Sequence, residues 1–125
     1  MIQHNGQTLA YIGDAVFEVL VREYHLSKNI TNVGKLHEAC VAFTSAKGQL
    51  TMLENIQDQL TEEEMSIVKR GRNSNLTRKA RNTNLRTYQY ATGLEALFGY
   101  LYLSQQSKRL NELFQQMMNT HTQKG

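Results

Sequence analysis

The run Leu9-Ala10-Tyr11-Ile12-Gly13-Asp14-Ala15-Val16-Phe17-Glu18-Val19-Leu20-Val21 limits the possible folds more than any other stretch. It has no Pro and one Gly, and its apolar positions recur at helical spacing. Leu9, Ile12, Val16, Val19 and Leu20 form one stripe, which Tyr11, Ala15 and Phe17 widen. A helix this apolar around its circumference is buried on several sides. Two adjacent residues break local rules. Asp14 interrupts the apolar run, and a buried Asp is costly unless it is paired, hydrogen-bonded or bound to a cation. Gly13 costs a helix interior about 1 kcal/mol against Ala, so something must approach its backbone closely. The alternative is a helix whose one Asp faces solvent.

The remaining pattern is helical too. The chain has 125 residues, no Pro and eight Gly, which favours one all-α domain with short loops over a turn-rich β fold. The first helix is expected from about Gln7 to His25, after a polar lead-in. Thr31 or Asn32 can cap a second helix carrying Leu36, Ala39, Cys40 and Phe43. That helix either continues or restarts at Thr44 or Ser45, through Ala46, Leu50, Leu53 and Ile56. Thr61-Glu62-Glu63-Glu64 matches a capping box and predicts a short helix from about Glu62 to Arg70. Gly71 to Arg86 reads as a loop, with four Asn and few apolar residues. Thr87 can cap the next helix, which is apolar on most faces and has Glu95 inside it. A last amphipathic helix is expected from about Ser107 to Asn119.

Charge is segregated along this framework. The net charge is only +3, yet Lys69 to Leu94 holds seven of the fourteen basic residues and no acid. Lys69, Arg70, Arg72, Arg78, Lys79, Arg81 and Arg86, with Asn73 among them, supply forked and neutral donors suited to phosphates and sugar hydroxyls. The Gly71–Arg86 stretch has no aromatic residue for base stacking, so a duplex backbone is the better partner. The alternative is a solvated charged loop without a partner. Cys40 is the only cysteine, which excludes an intrachain disulfide and fits a reducing cytoplasm. No secretory leader is expected, and no apolar run approaches the ~20 residues that cross a bilayer.

Asp14 and Glu95 each sit in an otherwise apolar helix. If the two helices pack together, the carboxylates can face one another and take a Mg²⁺ ion, whose remaining ligands are water and substrate phosphate. The alternative is two unrelated surface acids.

Leu9-Ala10-Tyr11-Ile12-Gly13-Asp14-Ala15-Val16 resembles the signature helix of the ribonuclease III family, approximately E-x-L-E-F/Y-L/I-G-D-A-V/L. Thr92-Gly93-Leu94-Glu95-Ala96-Leu97-Phe98-Gly99 resembles that family's second acidic motif, D-x-F/L-E-A-L/I-x-G/A. Together with Lys69-Arg70-Gly71-Arg72-Asn73, the chain is similar to the short Mini-ribonuclease III branch, in which no double-stranded-RNA-binding domain is expected. The resemblance implies one helical catalytic domain over 1–125, with a basic loop at about 69–86, forming a homodimer. It also implies Mg²⁺-dependent cleavage of double-stranded RNA to 5′-phosphate and 3′-hydroxyl ends, with Asp14 and Glu95 as metal ligands. Its implied substrate is the precursor of 23S ribosomal RNA, trimmed at the stem that joins its ends. The chain departs from the larger enzymes at Gln7, Ala10 and Thr92, where they carry acids, so fewer protein ligands remain. Glu18, one turn past Asp14, is a candidate outer group rather than a family ligand. Two rival readings are a catalytically inactive double-stranded-RNA-binding relative and a helical interaction module. The module leaves the acid-free basic segment unexplained.

Overall fold

The seam between the first helix and the fifth sets the architecture. The structure is a computed structural model that describes residues 4–74 and 84–124. Among them are six α-helices, one 3₁₀ turn (Gln57–Gln59) and no strand. The helices are α1 (Gly6–Ser27), α2 (Val33–Thr44), α3 (Ala46–Ile56), α4 (Glu62–Asn73), α5 (Leu85–Leu103) and α6 (Ser107–Lys124).

α1 and α5 approach closely because each carries a glycine at the crossing. A Cβ on Gly13 would stand 2.7 Å from the Gly99 nitrogen and closer still to the Glu95 carbonyl oxygen. A Cβ on Gly99 would strike the Leu9 carbonyl. The unusual Gly13 is therefore a packing requirement. This contact also sets the rotation of α1. Its buried line runs through Leu9, Ala10, Gly13, Phe17 and Val21, so the expected stripe is turned. Val19 is 54% exposed and Tyr11 82% exposed.

α5 is apolar on nearly every side because it is the central helix, packed on α1, α3, α4 and α6. Phe17 meets Phe98 edge-on at 5.5 Å and Phe114 at 6.3 Å, joining α1, α5 and α6 in one core. Met52, Leu53 and Ile56 close that core from α3.

Local chemistry explains the helix ends. Asn5 caps α1 by accepting the Thr8 N–H at 2.8 Å, so that helix starts at Gly6. Asn32 rather than Thr31 caps α2. Residues 32–57 form two helices, because Ser45 (φ −66°, ψ 161°) leaves helical geometry and caps α3. The Thr61–Glu64 capping box forms as expected, with bonds of 2.9 and 3.1 Å.

Three boundaries differ from expectation. α4 runs on to Asn73, because Gly71 is buried against α5 instead of opening a loop. α5 starts at Leu85, capped by Asn84 rather than Thr87, with Asn84 Oδ1 accepting the Arg86 N–H at 2.8 Å. α6 extends to Lys124, held past Asn119 by the His121 ring 5.0 Å from Phe43. The middle of the expected loop, 75–83, lies outside the described residues. Among the described residues, no helix is long and apolar enough to cross a membrane.

Candidate active site

The glycine seam that locks α1 to α5 also fixes the two embedded acids against each other. Asp14 lies one residue past Gly13, and Glu95 contributes the carbonyl that Gly13 packs against. Their side chains line one cavity of about 260 Å³, with Gln7, Ala10, Tyr11, Tyr88 and Thr92. Asp14 itself is exposed, contrary to a reading of it as buried, because its side of α1 looks into this open cavity. Glu95 is half-buried. No Lys or Arg among the described residues lines the cavity.

This setting penalises charge on Glu95. Burial, opposed by a hydrogen bond from Gln49 and reinforced by the Asp14 carboxylate beside it, pushes Glu95 from 4.5 up to about 8. Two acids sharing an open cavity without a counter-cation are what a hard divalent ion relieves. Such an ion accepts one or two carboxylates and completes its shell with other oxygens. Among the described residues no group of three or more acidic, His or Cys side chains is gathered, here or elsewhere.

The chain matches the Ribonuclease III domain family over residues 7–106. It is 42% identical over 120 residues to the Mini-ribonuclease 3 of Clostridium tetani, covering 95% of this chain and 80% of that protein. It is 43% identical over 113 residues to the Mini-ribonuclease 3 of Enterococcus faecalis, covering 89% and 86%. The chain belongs to the Mini-ribonuclease 3 family. It is an endoribonuclease. A crystal structure of a protein from Fusobacterium nucleatum superposes with a TM-score of 0.84 at 28% identity, covering 95% of both chains.

With the family in place, the departures acquire a location. Gln7, Ala10 and Thr92 all line the Asp14–Glu95 cavity. The three positions at which the resemblance expects acids therefore surround one cavity, and Thr92 Oγ1 donates to the Tyr88 carbonyl at 3.0 Å. Glu18 does not join them. It pairs with Arg22 at 2.9 Å and lines a separate cavity between α1 and α2.

The basic residues divide into placed and unplaced. Lys69, Arg70 and Asn73 are exposed on the last turns of α4, with Arg70 Nη1 donating to the His4 carbonyl at 3.0 Å. Arg72 and Arg86 come together on the Tyr90 ring, 5.0 and 4.6 Å from its centre. Arg78, Lys79 and Arg81 lie outside the described residues.

Two contributors were not singled out by sequence reasoning. Tyr90 reads as one more apolar position of α5. Gln49 reads as a polar residue beside the Leu50 stripe, yet it is 2% exposed and its Nε2 donates to Glu95 Oε2 at 3.2 Å. The available signal was its spacing from Met52, Leu53 and Ile56, which puts a polar group on the buried face of α3.

Proposed function

We propose that this endoribonuclease cuts double-stranded RNA with Mg²⁺ held by Asp14 and Glu95. The observation that carries the reading is the meeting of two carboxylates across a glycine-locked seam, in a cavity that no described cation lines. Bound Mg²⁺ would polarise the scissile phosphodiester and lower the pKa of an attacking water. The chain's part is to hold the two carboxylates on two helices that cannot slide apart without opening the Gly13–Gly99 contact. Glu95 must also give up its proton, which the charge of Asp14 resists and a cation favours. Hydrolysis would leave 5′-phosphate and 3′-hydroxyl ends.

The proposed grip on the duplex is the basic segment within the 1–125 catalytic domain. Lys69, Arg70, Arg72, Asn73, Arg78, Lys79, Arg81 and Arg86 would engage phosphates and sugars, contacts that carry no base information. The precursor of 23S ribosomal RNA is the proposed natural substrate on family grounds, in the cytoplasm. A homodimer is proposed through α1, supported by its exposed Tyr11 and Val19. Two sites would then address two strands. Sedimentation at micromolar concentration should give a dimer mass, reduced by Val19→Glu.

A second reading, an inactive duplex-binding relative, is favoured by the neutral Gln7, Ala10 and Thr92 around the cavity. One experiment separates the two. The purified protein is incubated with a long RNA duplex, with Mg²⁺ or with EDTA. Metal-dependent shortening to 5′-phosphate ends is expected, whereas binding without cleavage would establish the inactive reading.

A further inference from the structure

α3 sends a buried polar side chain to Glu95 on α5. Gln49 is buried among apolar neighbours on its own helix, with Met52, Leu53 and Ile56 on the same face. A buried amide is costly unless its hydrogen bonds are met, and an apolar residue would fill this face without that cost. The bond it makes reaches 46 positions along the chain, from Nε2 to Glu95 Oε2 at 3.2 Å. The helix carrying it is capped at its start and anchored to α6 near its end. Ser45 Oγ accepts the Gly48 N–H at 3.1 Å, and Asn55 Nδ2 donates to the Met117 carbonyl at 3.2 Å on α6. The donor therefore stands on a fixed support, aimed at one carboxylate.

Its neutrality matters as much as its position. A Lys or Arg here would orient Glu95 equally well, but it would cancel the negative charge that attracts a cation. A third acid would add repulsion and offer no donor. An amide restrains the carboxylate and leaves the charge of the pair whole.

We infer that Gln49 is a positioning residue: it holds Glu95 by one oxygen so that the carboxylate stays turned toward Asp14 and toward a divalent cation between them. This rests on the reading of Asp14 and Glu95 as metal ligands. Groups that orient a metal's protein ligands typically change metal affinity or activity by roughly 10- to 100-fold when removed.

The test uses Gln49→Met, which keeps the volume and deletes the donor. Gln49→Asn, which keeps the amide but withdraws it by one methylene, carries the test if the apolar variant does not fold. Mn²⁺ alone is titrated into RNA-free protein and followed by electron paramagnetic resonance. In parallel, the Mg²⁺ midpoint of cleavage, duplex binding in EDTA and the melting temperature are recorded. Both variants are expected to raise the Mn²⁺ dissociation constant and the Mg²⁺ midpoint by roughly 10- to 100-fold, with duplex binding in EDTA unchanged. Glu95→Gln is the reference. If it abolishes Mn²⁺ binding while both Gln49 variants bind Mn²⁺ like wild type, Gln49 is only a packing residue and the inference is overturned. If Glu95→Gln itself binds Mn²⁺ and cleaves like wild type, the ligand assignment fails and takes this inference with it.

Discussion

Two glutamates in this fold face opposite electrostatic circumstances. Glu64, 4% exposed at the start of α4, is gripped by Arg109 of α6 through two bonds of 2.8 Å, and it also closes the capping box on the Thr61 N–H. The Arg109 hydrogen bonds outweigh the penalty of burial and hold its carboxyl below the ordinary 4.5. Glu95 has a neutral amide and a second acid for company, and its carboxyl is pushed up to about 8. A matched buried acid is a structural tie. An unmatched one is a cost that persists where something else uses it, which is why strain of this kind points to function.

The sharpest test of that contrast is cleavage. Asp14→Asn and Glu95→Gln are expected to lower cleavage at saturating RNA by at least roughly 100- to 1000-fold, the scale of losing one electrostatic contact to a transition state. Their fold and duplex binding should survive. Glu64→Gln should cleave normally per folded molecule at a temperature where it is folded. Equal losses from Glu64→Gln and Glu95→Gln under those conditions would erase the distinction.

Stability should show the reverse order. Arg109→Met strands the Glu64 carboxylate against apolar surroundings, with the Thr61 N–H still in place. Breaking one side of a buried pair costs on the order of 3 kcal/mol, or roughly 10 °C in melting temperature for a domain of this size. Glu95→Gln should not destabilise metal-free protein, since it removes a group whose ionised form is penalised by burial and by the Asp14 carboxylate. Thermal melts in EDTA compare the two directly.

An unmatched pair of acids repels a polyanion, so the contrast also requires cations elsewhere on the molecule. Replacing Arg78, Lys79 and Arg81 together with Ala should weaken duplex binding on the order of ten-fold, regardless of sequence. The log–log salt slope should fall by about one unit per lost contact. Exposed Lys108→Ala, on α6, is the comparison, because Arg109 is occupied by Glu64. Unchanged affinity and slope in the triple variant would move the grip to another surface. Loss of turnover at saturation with binding intact would mean that the segment positions the scissile strand.

How much of this could be read in advance depended on range. The Thr61–Glu64 box is local, three residues apart, and formed as expected. Gly13 and Asp14 broke local rules, and the broken rules led to the seam and to one half of the site. The rotation of α1 was not readable, because exposed Val19 and Tyr11 look like core in a sequence. Gln49 and the Arg72–Tyr90–Arg86 stack depend on which helices meet, and helical spacing within one element carries no such information. Asn84 and Thr87 are both good caps, and only the backbone decides between them.

The last expected effect is on the pH dependence of stability, where the two glutamates should tilt the profile in opposite directions. Glu95 in the folded protein keeps its proton up to about 8, whereas in the unfolded chain it releases it near 4.5. Between those values the folded state binds the extra proton, so raising the pH favours unfolding. The contribution of Glu95 is therefore fully present below pH 4.5 and is lost as pH rises through about 8. Glu64 has the reverse sign. Its folded pKa lies below 4.5, so its contribution is present above that value and is lost as pH falls through the lowered one. Melting temperatures measured in EDTA across both windows should show each Gln substitution flattening only its own arm. Glu95→Gln should gain on wild type as pH climbs from 4.5 toward 8, and Glu64→Gln should lose least in acid. Added Mg²⁺ should offset the alkaline decline in wild type but not in Glu95→Gln, because only the ionised pair gains a cation. If the wild-type and Glu95→Gln curves instead run parallel from pH 4.5 to 8, Asp14 and Glu95 do not share a charge-averse cavity in solution, and the contrast with Glu64 collapses.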